Sequence, residues 1–201
     1  MSDYKEFDNT LYSDGTLKNK LVIHDSKKLK QIEYMTVATR SITVIKNSPQ
    51  IQSIDDLYKI HRFLFMNLYD WAGKRRTYPL NKDGHSFMDY LSLDQGQAYI
   101  NGILNKLSKK VFLTSKDYAE LLDSLNELHP FREGNGRSAK LFLQCLAINH
   151  HQVIDYDRNG KKMIEALNNA DIDSLSEMLH IEDTSTAQIA KKMVLLKRKS
   201  K

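Results

Sequence analysis

With 201 residues, 41% of them hydrophobic and 27% charged, the chain has a globular composition and lacks the low-hydrophobicity signature of disorder. No stretch approaches the ~18 consecutive apolar residues of a membrane span, and the acidic, polar start MSDYKEFDNT lacks the basic-then-apolar order of a secretory leader. A soluble cytoplasmic protein with no membrane partner is therefore expected. The tail KRKSK supplies four positive charges of a net +5, so the body is nearly neutral and direct nucleic-acid binding is not needed to explain the charge.

In chain order, SKKLKQIEYMTVATRSITVI, from Ser26 to about Ile45, spaces Leu29, Ile32, Met35, Val37 and Ile42 close to a helical period behind a serine cap. This predicts a first helix. The pattern breaks at Asn47, Ser48 and Pro49 and restarts at Ser53, with Asp55 and Asp56 in the first turn and Gly73 past the end. The apolar stripe of this second helix is Leu57, Ile60, Leu64, Leu68 and Trp71.

Between Lys74 and Leu93 the period changes, and β-formers flank NKDG, which predicts a short exposed β-hairpin or extended flap. Helices near 94–107 and 115–128 follow, the second opening on a Thr-Ser-x-Asp start signal. Another helix runs through SAKLFLQCLAINH, where the lone Cys145 can form no internal disulfide and is expected to be a buried, inert thiol. Two shorter helices are expected near 160–169 and 171–180, and a last amphipathic one from about 184 to 198. There is no internal repeat and no low-complexity linker. The expectation is a single all-α domain over 1–201, a helical bundle with one hairpin insertion, its core at about 10–180 and its terminal helix and basic tail at 184–201.

Between two of these helices lies HPFREGNGR, residues 129–137, in a chain with only eight glycines and three prolines. Gly134 and Gly136 flank Asn135 directly before a helix. Glycine allows successive N–H groups to converge on an anion, and the helix start adds roughly half a positive charge aimed at the same place. A phosphate suits that geometry. Arg137 falls in the first turn, where its guanidinium can fork onto phosphate oxygens. A single carboxylate beside a phosphate site, here Glu133, is a typical holder of Mg²⁺, which keeps its waters and takes the substrate's own phosphate oxygens. His129, with an ordinary pKa of about 6.5, is the natural general base. Each feature alone is common in plain turns. A helix connection with no chemistry to perform would not need this much glycine beside this much charge.

Those residues resemble the signature of the Fic family, His-Pro-Phe-x-Asp/Glu-Gly-Asn-Gly-Arg, at all eight specified positions. Upstream, IHRFLFMNLYDWAGKRRT is similar to the family's helix leading into its substrate-binding flap, and LKNKLVIHD to the entry into its core, so the resemblance covers roughly residues 10–180. It implies a Fic fold and a protein adenylyltransferase, moving AMP from ATP and Mg²⁺ onto a Ser, Thr or Tyr hydroxyl of a target protein. His129 would deprotonate the hydroxyl, Glu133 would hold the metal, and Gly134, Asn135 and Gly136 would cradle the phosphates. Arg137 would bind the outgoing phosphates, and Phe131 would pack beneath the loop. The flap, about Thr77 to Met88, would pair with the target's backbone as an added strand. Thr77, Tyr78, Leu80, Lys82, Gly84 and Phe87 are its candidate contacts.

Two departures stand out. Where many adenylylating relatives carry a second arginine three residues after the first, this chain has Lys140, which keeps the charge and loses the planar fork. That leaves room for another transferred group, such as uridylyl, phosphate or phosphocholine. The family's inhibitory pattern Ser/Thr-x-x-x-Glu-Gly/Asn finds no full match. The nearest string, SDYKEF, fails at its last position, which favours a separate antitoxin as partner. A degenerate binding module is the alternative outside catalysis. The remaining histidines carry a plain reading: His61 lies within a helix, His150 and His151 follow one, and His24, His85 and His180 have no zinc-like spacing.

Overall fold

The computed structural model describes residues 3–82 and 84–183. The expected helix at 184–198 and the basic tail lie outside the described residues. A short helix α1 (Asp3–Asp8), which the sequence reading did not anticipate, precedes an irregular segment closed by a Leu11–Leu17 bridge. Helix α2 (Ser26–Asn47) is capped by Asp25 rather than by Ser26. The Asp25 carboxylate accepts from the N–H groups of Lys27 and Lys28 at 2.9 and 3.1 Å, and a left-handed Ser48 ends the helix.

Helix α3 (Asp55–Phe65) is shorter than its apolar stripe suggests. The N–H groups of Leu68 and Tyr69 turn back to the Phe65 carbonyl at 2.8 and 3.0 Å, so Leu68 is buried by a turn instead of by a helical face. Gly73, at φ 74°, then brings the backbone against α3, where an added Cβ would lie 2.5 Å from the Arg62 Cβ. The flap is a two-residue ribbon, β1 (Asn81–Lys82) antiparallel to β2 (His85–Ser86), with Asn81 opposite Ser86. A 3₁₀ turn at Tyr90–Ser92 leads into α4 (Leu93–Leu107).

Helix α5 (Ser115–Leu128) begins on a full capping box between Thr114 and Asp117, and ends at a left-handed His129. Helix α6 (Asn135–Asn149) is the hub. Leu141 to Ile148 are all buried, the mark of a helix surrounded on every side, and α6 packs against α2, α3, α5 and the strand that follows it. Cys145 lies fully inside, and burial pushes its thiol up to about 12, as expected of an inert thiol.

The structure adds a second ribbon. β3 (Gln152–Tyr156) pairs antiparallel with β4 (Leu179–Asp183), Ile154 opposite Ile181. Helices α7 (Gly160–Asn168) and α8 (Ile172–Glu177) lie between its strands. The helix expected at 171–180 therefore stops at Glu177 and gives way to a strand. The architecture is otherwise the expected one, mostly helical with a short hairpin over one end of α5 and α6.

Candidate active site

A cavity of about 590 Å³ opens where the C-terminus of α5, the N-terminus of α6, the flap and α7 meet. Its walls include His129, Glu133, Gly134, Asn135, Gly136, Arg137 and Lys140, together with Leu80, Lys82 and Phe87 of the flap. Thr77, Tyr78 and Gly84 do not line it. Thr77 is exposed and hydrogen-bonds the Glu6 carboxylate, Tyr78 is buried edge-on to Phe7, and Gly84 sits at φ 83° in the hairpin tip.

The turn is shaped from below. Gly134 adopts φ 83°, and a Cβ there would lie 2.4 Å from the Phe65 ring, so this glycine answers both a backbone need and a close approach. Gly136 differs: its φ is not positive, and an added Cβ would meet nothing within 4 Å, leaving open space on the cavity side. The buried Asn135 clamps the turn by accepting from the Phe131 N–H at 2.9 Å and donating to the Phe131 carbonyl at 2.8 Å. Ser138 N–H is the first to bond back into α6, reaching the Gly134 carbonyl at 3.0 Å. The N–H groups of 135–137 ahead of it belong to the turn of a helix that has no intrahelical acceptors, and these three residues line the cavity.

His61, read from the sequence as an ordinary helix residue, turns out to be the strut of this turn. Its Nε2 donates to the Glu133 carbonyl at 3.0 Å, its Nδ1 accepts from the Gly73 N–H at 2.8 Å, and its ring stacks on Phe131 at 3.7 Å. Burial lowers its pKa to about 4, so it is neutral near pH 7, as the one-donor, one-acceptor bonding requires.

His129 occupies the left-handed C-cap of α5 at φ 38°, a conformation that a residue with a Cβ adopts at a cost of about 1–2 kcal/mol. Its Nδ1 is 3.1 Å from the Asn126 carbonyl, which can only accept, so Nδ1 carries the proton and Nε2 keeps its lone pair. The Phe87 ring stacks on the imidazole at 3.5 Å. Burial, opposed by the Asn126 carbonyl and aided by the charge of Arg76, lowers the pKa of His129 to about 4. The imidazole is a neutral acceptor at pH 7.

Arg137 is held from two sides. Its Nη1 pairs with Glu33 of α2, whose other carboxylate oxygen accepts from Tyr69, its Nη2 lies 3.5 Å from Glu133, and its guanidinium sits 5.0 Å over the Phe65 ring. The Glu133 Oε1 also accepts from the Gly134 N–H at 3.0 Å, and the side chain is 41% exposed. Among the described residues no group of three or more His, Cys, Asp or Glu could hold a metal ion. One half-exposed carboxylate suits a cation that arrives with phosphates and keeps its water, and does not suit a resident metal centre. The Lys140 ammonium lies 5.0 Å over the Tyr156 ring, with burial lowering its pKa.

Sequence reasoning missed Glu33, His61 and Arg76 as supports of this site, and Arg132, which also lines the cavity. It also missed the apolar wall that α7 supplies, where Met163, Ile164 and Leu167 face the cavity beside Asn168.

The fold has counterparts among known proteins. Residues 51–147, from α3 through most of α6, match the model of the Fic/DOC family. The chain is 34% identical over 164 residues to the protein adenylyltransferase VbhT of Bartonella schoenbuchensis, an alignment covering 76% of this chain and 34% of VbhT. It is 28% identical over 139 residues to the probable protein adenylyltransferase Fic of Escherichia coli, covering 66% of this chain and 68% of that protein. The chain thus spans about a third of the first relative's length. The crystal structure of the N-terminal Fic domain of a putative cell filamentation protein from Bartonella quintana, with bound ADP, superposes with a TM-score of 0.78 at 21% identity, covering 90% of this chain and 98% of that one. The chain has the Fic-domain fold, and its residues 51–147 are similar to the Fic/DOC family.

Proposed function

We propose that this site is that of a protein adenylyltransferase, moving AMP from ATP to a hydroxyl of a target protein. One observation carries the reading: a neutral imidazole with a free Nε2 shares a single cavity with the N-terminus of α6. The activity for which these relatives are named supports it. In the proposed step Nε2 of His129 takes the proton of the acceptor hydroxyl, whose oxygen bonds to the α-phosphorus of ATP. The bond from that phosphorus to the bridging oxygen breaks, and pyrophosphate leaves with the electron pair. The N–H groups of 135–137 and the Arg137 guanidinium face the phosphates, where charge develops. Asn135 serves mainly by fixing the turn, and Glu133 would hold Mg²⁺, which adds positive charge at the phosphates.

The flap, with Leu80, Lys82 and Phe87 lining the cavity, would hold the target as an added strand. A cytoplasmic setting and a separate inhibitory antitoxin complete the proposal. A second reading, transfer of a uridylyl, phosphate or phosphocholine group, draws on Lys140, whose ammonium rests on Tyr156 in place of a planar fork on phosphate.

Incubation of the chain with ATP or UTP labelled in the base, and a cell lysate, tests both. Adenosine label should appear on protein, and a His129→Ala variant should lose it by about 10²-fold or more while still binding nucleotide. Adenosine label that never reaches protein defeats the adenylyl reading, and transfer that survives His129→Ala defeats the role of His129.

A further inference from the structure

Arg76 leaves α3's following turn just before the flap, is only 3% exposed, and has no carboxylate within ion-pair distance among the described residues. Its guanidinium instead satisfies backbone carbonyls. Nε donates to His129 at 2.8 Å, Nη1 to Tyr78 at 2.9 Å, and Nη2 to Met88 and, at 3.5 Å, to Leu128. The Arg76 N–H adds a bond to the Pro130 carbonyl at 2.8 Å. Tyr78 and Met88 are the two roots of the flap, and Leu128, His129 and Pro130 are the turn that carries the imidazole. The Met88 N–H, in turn, bonds the Glu127 carbonyl at 3.0 Å.

A buried arginine that spends its fork on carbonyls bears the desolvation of its charge without an ion pair, which a purely structural tether could avoid with a neutral amide. What the arginine adds is reach and charge. Five donors in one rigid plane join three separate backbone segments, and the cation lies beside the imidazole. We propose that Arg76 is a positioning residue that locks both roots of the flap to the His129 turn, so that an acceptor strand lying along the flap is presented at a fixed distance from Nε2.

This inference rests on the acceptor-strand reading of the flap. The charged and titratable groups facing His129 are Arg76, Lys82 of the flap and Glu133 of the turn. Those facing Arg76 are Asp89, Tyr78, Tyr58 and Glu127. Removing the Arg76 cation leaves Lys82 as the remaining positive neighbour of the imidazole, so protonation of His129 becomes easier.

The test uses the full chain with Arg76→Lys and Arg76→Gln, read by hydrogen exchange of the amides at 78–88 and by an NMR titration of the His129 ring. Both variants should exchange in the flap at least about tenfold faster than the wild type, since each loses most of the fork. His129 should titrate about one pH unit higher in Arg76→Gln than in Arg76→Lys, because only the former removes the charge. Flap exchange at the wild-type rate in Arg76→Lys overturns the proposal, and so does an equal His129 titration in the two variants. If Arg76→Gln does not fold, the exchange result of Arg76→Lys decides alone. Neither readout needs turnover, so failure of the wild-type chain to label any protein would count against adenylyl transfer and leave this result standing.

Discussion

Replacing Gly134 by alanine tests how the phosphate-facing turn is built. The new methyl would lie 2.4 Å from Cζ and 2.6 Å from Cε2 of Phe65, where carbon atoms prefer about 3.5–4.0 Å. The ring cannot yield freely: Phe65 is fully buried, with the His61 ring 4.7 Å away and the Arg137 guanidinium 5.0 Å over its face. Overpacking of this kind costs about 1–3 kcal/mol, and a φ of 83° adds about 1–2 kcal/mol once a Cβ is present. The expected loss for Gly134→Ala is about 2–5 kcal/mol. It is measured as the change in urea unfolding free energy, in the wild type and in a Phe65→Leu background whose smaller side chain makes room. In that background the alanine should cost only the backbone share, so the two substitutions should couple by roughly 1–3 kcal/mol. A cost that is the same in both backgrounds, or a Gly134→Ala variant within about 0.5 kcal/mol of wild type, would refute the packing argument.

Two further outcomes are expected. His61 and His129 both have pKa values lowered by burial to about 4, so between pH 6.5 and 4 the unfolded chain binds protons that the folded chain refuses. Their contribution is complete above about pH 6.5 and is lost as pH falls toward 4. Each is worth at most roughly 3 kcal/mol, so urea midpoints taken from pH 7 to pH 4.5 should fall steeply, and a flat profile would mean that the imidazoles are not held neutral. Cys145, fully buried with its thiol pushed up to about 12, should be silent to a thiol reagent in the native chain and should react as one equivalent in denaturant. Native reactivity would show that α6 is not the closed centre described above.

What the sequence made legible was local chemistry. The Thr114–Asp117 capping box, the glycine turn before α6 and the NKDG hairpin each depend on residues a few positions apart, and each appears where expected. What stayed hidden depends on distance in the chain. His61 reaches Glu133 across 72 residues, Arg137 reaches Glu33 across 104, and Arg76 reaches His129 across 53. No periodicity encodes such pairs, although His61 and Arg76 both lie inside IHRFLFMNLYDWAGKRRT. The β3–β4 ribbon was missed for the same reason. QVIDY is too short to declare itself, and its partner follows two intervening helices. α3 was overextended because Leu68 and Trp71 continue the apolar spacing while the backbone has already left the helix at Phe65.

The turn between α5 and α6 also sets an electrical order. The 14-residue α5 ends at Leu128 with His129 as its cap, and the 15-residue α6 starts at Asn135, so 129–134 join the negative pole of one helix to the positive pole of the next. Each pole amounts to roughly half an elementary charge and is felt within about a turn. The first pole offsets part of the burial that lowers the His129 pKa, and the second favours an arriving anion, both beside one cavity. The backbone alone thus sets fields of opposite sign at the two ends of one short turn. That division would survive replacement of either His129 or Arg137, and only a break in one of the two helices would erase it.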